Sequence, residues 1–258
     1  MKLAIRLSAP VNDPAAQAHA ATVDGVVLAA DEATLPGNKS VSENLAIASL
    51  ELTRALVEPP IGFTAELRRG AESFVDATPA GAAVVFAAPP LQRGAGAERC
   101  HSQMLAALSE LCDRATPRGV RIAVLGSGPL RDTAALWRLR DAVQSSALRV
   151  VYDLAQSADP PTLAIKRLGR TLHEVRLPAA WCAANAPEGA ELARLIDLLR
   201  GIAYDSWITI VPPDGAWDAA AAATRLRELL AAPVVPLTAY KGDKNAPRFV
   251  RPAAKESA

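Results

Sequence analysis

Aromatic side chains are scarce in this chain: they make up 4% of its 258 residues, although half of all residues are hydrophobic. Many of those are alanines, so a close-packed core has to be built from small and branched side chains on closely approaching helices. Net charge is nearly absent as well. The 28 Lys and Arg stand against 27 Asp and Glu, for a formal charge of +1, which leaves no electrostatic footprint for nucleic acid or an anionic membrane. Cysteine is limited to Cys100, Cys112 and Cys182. No CxxC pair occurs, and Cys100 and Cys112 fall on one expected helix, roughly 18 Å apart at about 1.5 Å per residue, beyond disulfide reach. Reduced thiols in a cytoplasmic protein are the expectation. The opening MKLAIRLSAPVNDP is charged too early, and its apolar run is too short, for a signal peptide or membrane span. Phosphate-cradling signatures are lacking too. GSGP at residues 126–129 has neither the full dinucleotide fingerprint nor the Lys-Ser/Thr ending of a P-loop.

What is present is an alternation of strand and helix, clearest from Gly119 to Pro178. VRIAVLG is β-branched and apolar, as a parallel strand buried on both faces should be. RDTAALWRLRDAVQ places Leu136, Leu139, Ala142 and Val143 at helical spacing. LRVVYDLA is the next strand, Asp159 is the expected cap of a short helix with Pro160 and Pro161 in its first turn, and LHEVRLP is a third strand. The same rhythm runs through the rest of the chain. Strands are predicted over residues 2–8, 25–31, 82–89 and 207–213. A further strand is predicted over 45–52, where leucine and alanine also suit a helix. Helices are predicted over 13–21, over a segment burying Phe63, Leu67, Phe74 and Val75, and over 97–115, 191–200 and 218–231. On the 191–200 helix, Leu192, Leu195, Ile196 and Leu199 form one stripe. Eight strands in such a length predict an α/β fold, a single (β/α)8 barrel over residues 1–239. Residues 240–258 form a polar tail, read either as a solvated terminus or as an arm that clasps a neighbouring subunit through Phe249 and Val250.

Four segments carry a family resemblance: GVRIAVLGS (119–127), RVVYDLAQ (149–156), RTLHEVRLP (170–178) and AYDSWITIV (203–211). Together they resemble the xylose-isomerase-like TIM barrels, the sugar-phosphate isomerase/epimerase superfamily, and the likeness is strongest from Glu98 to Pro212. The resemblance implies a site at the C-terminal ends of the strands, where that family holds a divalent metal through a Glu on strand five, an Asp on strand six, a His on strand seven and a Glu on strand eight. Matched residue by residue, those positions fall on Leu125, on Asp153, in Glu174-Val175-Arg176 and on Val211. The His that follows the strand-six Asp becomes Gln156. Aliphatic side chains cannot ligate a cation, and an arginine repels one. No metal and no cofactor are therefore expected. The zinc endonucleases of the same superfamily need many histidines, and this chain has only His19, His101 and His173.

The mouth residues nominated in this way are Asp153, Glu174 and Arg176 as the reacting or anchoring set, with Asp31, Glu51, Ser127, Gln156, Trp181 and Trp217 as ligand contacts. Asp153 and Arg176, on adjacent strands, are expected within pairing reach, either as a structural pair or as a clamp for a phosphate or carboxylate. Trp181 and Trp217 follow strands seven and eight and offer faces for a sugar ring or closure of an apolar lid. Trp207 and Trp137 are expected to be packing residues. Period two turns His173 away from the barrel side shared by Glu174 and Arg176. The reading that follows is a divergent member without the metal site, a catalytically silent sugar or sugar-phosphate binder or an assembly protein. The alternative is an isomerase, epimerase or lyase that works without metal. Expected partners are a small sugar-like ligand and, as an open alternative, further copies of the chain, with neither nucleic acid nor membrane.

Overall fold

The computed structural model describes residues 1–7, 14–30, 46–52, 63–87, 95–183, 185–213 and 217–233. Eight strands close into one barrel in chain order: β1 (Lys2–Leu7), β2 (Gly25–Ala30), β3 (Ala46–Leu52), β4 (Ala83–Ala87), β5 (Arg121–Leu125), β6 (Leu148–Asp153), β7 (Leu172–Pro178) and β8 (Trp207–Val211). Every neighbouring pair is parallel, including β8 with β1. The described helices are α1 (Pro14–Ala20), α2 (Ala65–Ala77), α3 (Ala95–Ala115), α4 (Thr133–Val143), α5 (Pro161–Leu168), α6 (Gly189–Gly201) and α7 (Ala219–Ala231). The predicted (β/α)8 barrel is thus the observed fold. The 46–52 segment is a strand, because a slot between β2 and β4 overrides the helix-compatible leucines and alanines. The tail beyond residue 239 and Asp31 lie outside the described residues.

Local chemistry sets the helix boundaries. Thr64 caps α2 by accepting from the Leu67 N–H, Asp132 caps α4 through the Ala134 N–H, and Asp218 caps α7 through the Ala221 N–H. Asp159 does not cap α5. Its carboxylate instead accepts from the Thr133 N–H at 2.9 Å and from the Thr133 hydroxyl, tying the β6–α5 loop to the start of α4. Pro160 and Pro161 start α5 without a side-chain cap, since proline has no N–H that needs one. α6 lays an apolar stripe on the barrel with Leu192, Leu195, Ile196 and Leu199, as α2 does with Leu67, Ala71, Phe74 and Val75. Gly126 lets α4 come close: a β-carbon there would stand 3.0 Å from Leu136 and 3.3 Å from the Val151 carbonyl. That packing accounts for the first glycine of GSGP.

Two features of the barrel wall position the interior. At the N-terminal end, Trp207 packs with Ala4, Val27 and Ala48. Its ring so crowds Gly25 that a β-carbon would lie 2.7 Å away. On the β4–β6 side, Ala83, Val85, Ala123, Leu125 and Val151 form an apolar cluster. The second feature is a pair of bulges. The β2–β3 register advances from Val26↔Ile47 to Val27↔Ser49, making Ala48 the extra residue. The β6–β7 register advances from Val150↔Leu172 to Val151↔Glu174, making His173 the extra residue.

Candidate functional site

β3 and β7 are four strands apart in either direction around the closed barrel, so a side chain of one that touches the other crosses the lumen. Three contacts do so at successive levels. His173 Nε2 lies 3.2 Å from the Ala48 carbonyl oxygen. The Ser49 hydroxyl donates to Glu174 Oε2 at 2.9 Å. Arg176 Nη1 lies 3.0 Å from Glu51 Oε2. The Arg176 Nε also donates to Glu174 Oε1 at 2.7 Å, and Arg6 on β1 grips Glu51 through Nε at 2.9 Å and Nη2 at 3.2 Å. The result is a polar ladder through half of the lumen, facing the apolar cluster of the other half.

The bulge at His173 explains why period two fails there. An extra residue lets both His173 and Glu174 face inward, where regular alternation turns one of them out. The carbonyl of a bulged residue drops out of the sheet ladder and needs another donor. Tyr204 Oη is 3.0 Å from the His173 oxygen and 2.7 Å from that of Trp207, and Ser206 Oγ is 2.5 Å from the His173 oxygen. The segment Tyr204-Asp205-Ser206-Trp207 therefore props the bulge open and plugs the barrel behind it. Burial holds the His173 imidazole below its ordinary pKa, so it is neutral at pH 7.

Electrostatics fix the protonation of the upper rungs. Burial works to raise the Glu51 pKa, but the Arg176 and Arg6 guanidinia outweigh it and hold the carboxylate ionised. Burial likewise works against the charge of Arg176, and Glu174 and Glu51 more than restore it. Asp153 behaves differently. Burial pushes its pKa up, against the Ala155 N–H, the more distant Arg176 and the Gln156 amide. Its two oxygens accept from the Ala155 N–H at 2.9 Å and from Gln156 Nε2 at 3.1 Å. The expected Asp153–Arg176 ion pair is not formed. Although the two residues share register on β6 and β7, the guanidinium turns across the lumen to Glu51 and sideways to Glu174.

Two polar atoms in this interior have no partner among the described residues: Arg176 Nη2 and Thr209 Oγ1, both fully buried. Arg176 and Thr209 are paired in the β7–β8 register. Neighbours in register on a parallel sheet project to the same face, so both side chains enter the lumen side by side. Thr209 escaped the sequence reading, because a threonine in WITIV looks like an ordinary strand former. Its signal was the period-two match to Trp207.

The remaining nominated residues spread out. Ser127 sits in the turn after β5, where its backbone N–H lies 2.8 Å from the Leu125 oxygen. Trp181 is half-buried against the outer core. Trp217 stands 5.3 Å from the His19 ring and lines a cavity of about 620 Å³ with Ala179, Cys182, Ala222 and Arg225. That cavity lies between the turn after β7 and α7, outside the lumen. Cys182 is buried, with its thiol pushed up to about 12 by burial, and is no nucleophile at neutral pH.

No protein-family model matches the chain, and no curated protein matches it. Solved structures do. A D-psicose 3-epimerase from Clostridium cellulolyticum H10 superposes with a TM-score of 0.68 over 89% of this chain and 99% of that one, at 12% identity. A D-allulose 3-epimerase from Methylomonas sp. gives 0.69 over 89% and 96%, at 17% identity. A fusion of a xylose isomerase-like TIM barrel with a 4-hydroxyphenylpyruvate dioxygenase gives 0.60 over 88% of this chain and 42% of that one, at 18% identity. The fold is the xylose-isomerase-like TIM barrel. Leu125 belongs to the apolar cluster, Arg176 brings a positive charge, and Glu51 is already held by two guanidinia. Among the described residues no group of three or more His, Cys, Asp or Glu is placed to hold a metal ion. Leu125 and Arg176 offer no ligand to a divalent cation, and the Glu51 carboxylate is already engaged.

Proposed function

We propose that this xylose-isomerase-like barrel is a divergent relative of the sugar isomerases and epimerases that has lost the divalent-metal site and binds a small sugar or sugar-like ligand at its mouth through a guanidinium instead. The observation that carries the reading is the pair of unpartnered donors, Arg176 Nη2 and Thr209 Oγ1, side by side in the lumen. A buried polar group without a partner costs about 1–3 kcal/mol. A ligand hydroxyl or carbonyl oxygen placed between the two atoms supplies the missing bonds. Arg176 is held by two carboxylates and cannot swing away, so it is preorganised for that role. The fold shared with sugar epimerases supports a sugar as the ligand class.

A second reading rests on Asp153. A carboxyl whose pKa is raised by burial at a barrel mouth is placed to take and return a proton beside a polarised carbonyl, which is the chemistry of a metal-independent isomerase or epimerase. One experiment separates the readings. Calorimetric titration of a panel of ketoses, aldoses, sugar acids and sugar phosphates is run in the presence of EDTA, and each ligand that binds is then incubated with the protein in D2O. Binding in EDTA that falls about tenfold in Thr209→Val and in Arg176→Lys supports the proposal; the lysine keeps the charge between Glu51 and Glu174 but loses the third arm. Deuterium uptake next to the carbonyl, lost in Asp153→Asn, moves the protein to the enzymatic reading. A panel without any binding, or binding untouched by both substitutions, removes the lumen as the site.

A further inference from the structure

The end of the barrel opposite the mouth carries a second concentration of unused donors. Arg121 opens β5, Arg149 is the second residue of β6, and Arg140 lies in the last turn of α4, which runs back to that end. Two of the guanidinia meet at one carbonyl. Arg149 Nη1 is 2.7 Å from the Ser146 oxygen and 3.1 Å from that of Leu148, and Arg121 Nη1 is 3.5 Å from the same Ser146 oxygen. Arg140 Nε is fully buried and has no hydrogen-bond partner among the described residues. No ion pair joins any of the three to a carboxylate among the described residues. Nearby Arg114 and Arg118, by contrast, share the carboxylate of Asp76.

Three like charges held together without a counterion repel one another, and the effect registers on Arg149. Its pKa is lowered by burial first, then by Arg121 and Arg140. Each guanidinium has five N–H donors. The two bonds made by Arg149 and the one made by Arg121 leave most of these unused. All three side chains are half-buried around an exposed Ser146, so the cluster is open to solvent. A structural role, anchoring the turn before β6, uses only the two Nη1 atoms and leaves the convergence of a third, unpaired arginine unexplained.

We infer that Arg121, Arg140 and Arg149 form a binding site for a phosphate group at the N-terminal end of the barrel, separate from the lumen mouth. A tetrahedral oxyanion offers several acceptor oxygens to guanidinia arriving from two strands and a helix, and it neutralises their mutual repulsion. The site takes free phosphate or the phosphate of a small monoester, because the groups that define it recognise the oxyanion alone.

Isothermal titration of the full chain with inorganic phosphate, against sodium chloride of matched ionic strength, tests this, with methyl phosphate as a second arm. The expected result is one phosphate per chain, weakened at least about tenfold in Arg149→Gln and in Arg140→Gln and unchanged in Thr209→Val. Arg140→Gln alters the last turn of α4 rather than a barrel strand and keeps the test alive where Arg149→Gln fails to fold, as checked by circular dichroism. Equal binding of both probes assigns the site to the phosphate group itself, and binding of methyl phosphate alone assigns it to a monoester. No heat beyond that of chloride from either probe overturns the inference. So does binding that survives both arginine substitutions, or binding lost in Thr209→Val.

Discussion

Burial keeps the His173 imidazole below its ordinary pKa of 6.5, with the Glu174 carboxylate pulling the other way and Arg149 and Arg121 adding to the depression. The unfolded chain therefore takes up a proton near pH 6.5 that the folded barrel refuses. Protons bind the unfolded state in excess between the lowered folded value and 6.5, so stability is fully present above that window and is lost as pH falls through it. Asp153 acts with the opposite sign. Its carboxyl is raised by burial above 3.8, so the folded state holds the proton longer and stability declines as pH rises through the range just above that value. Comparing wild type with His173→Gln cancels the Asp153 contribution, since both proteins keep it. Urea midpoints of the two should converge toward acid pH, separate as pH rises toward about 6.5, and keep a constant gap above it. Parallel profiles across that range would mean that the imidazole is not buried neutral in the lumen. This was the residue least open to reading from the sequence, because a bulge cannot be seen in a run such as LHEVRLP, and regular alternation turned His173 the wrong way.

At the scale of the element, β7 depends on a segment outside itself. The carbonyl freed by its bulge is met by the hydroxyls of Tyr204 and Ser206, which arrive on the turn leading into β8. Replacing Tyr204 by phenylalanine should destabilise the barrel by about 1–2 kcal/mol, and Ser206→Ala by less, since each leaves the other hydroxyl in place. The double substitution strips the carbonyl of both donors and should cost more than the sum of the two singles. Chemical denaturation measures all three, and strict additivity would show that the two hydroxyls do not share a task. The helices were far more legible. The α6 stripe and the strand at β5 could be read directly, because a period of 3.6 and a β-branched apolar run state their own burial. Asp159 misled for a physical reason: an aspartate before two prolines has the form of a cap, yet a donor pair on a different helix competed for it.

For the molecule as a whole, architecture was legible and the interior was not. Strand–helix alternation implies a barrel wherever eight strands can be counted, and the barrel is there. The rungs Ser49–Glu174 and Ala48–His173 each join residues 125 positions apart, and no local pattern announces such partners. Arg176 was nominated at the mouth with Asp153 or its strand neighbour Glu174 as partner; the Glu174 pair is formed, the Asp153 pair is not, and the low-dielectric lumen drew the guanidinium across to Glu51 as well. Breaking such a buried network by removing one partner costs about 3–5 kcal/mol, so the network is a rigid frame across the lumen. The proposed loss of the metal site depends on that network occupying the mouth. The direct test is a thermal melt of EDTA-treated protein with and without millimolar Mn²⁺, Mg²⁺ or Zn²⁺, beside elemental analysis of the protein as purified. A native-state site filled at about 100 times its dissociation constant stabilises by about 2.7 kcal/mol, a rise of roughly 5–10 °C for a chain of this size. The expected result is a melting temperature within about 1 °C of the metal-free value and no stoichiometric metal. A clear upward shift that disappears in Asp153→Asn would contradict it.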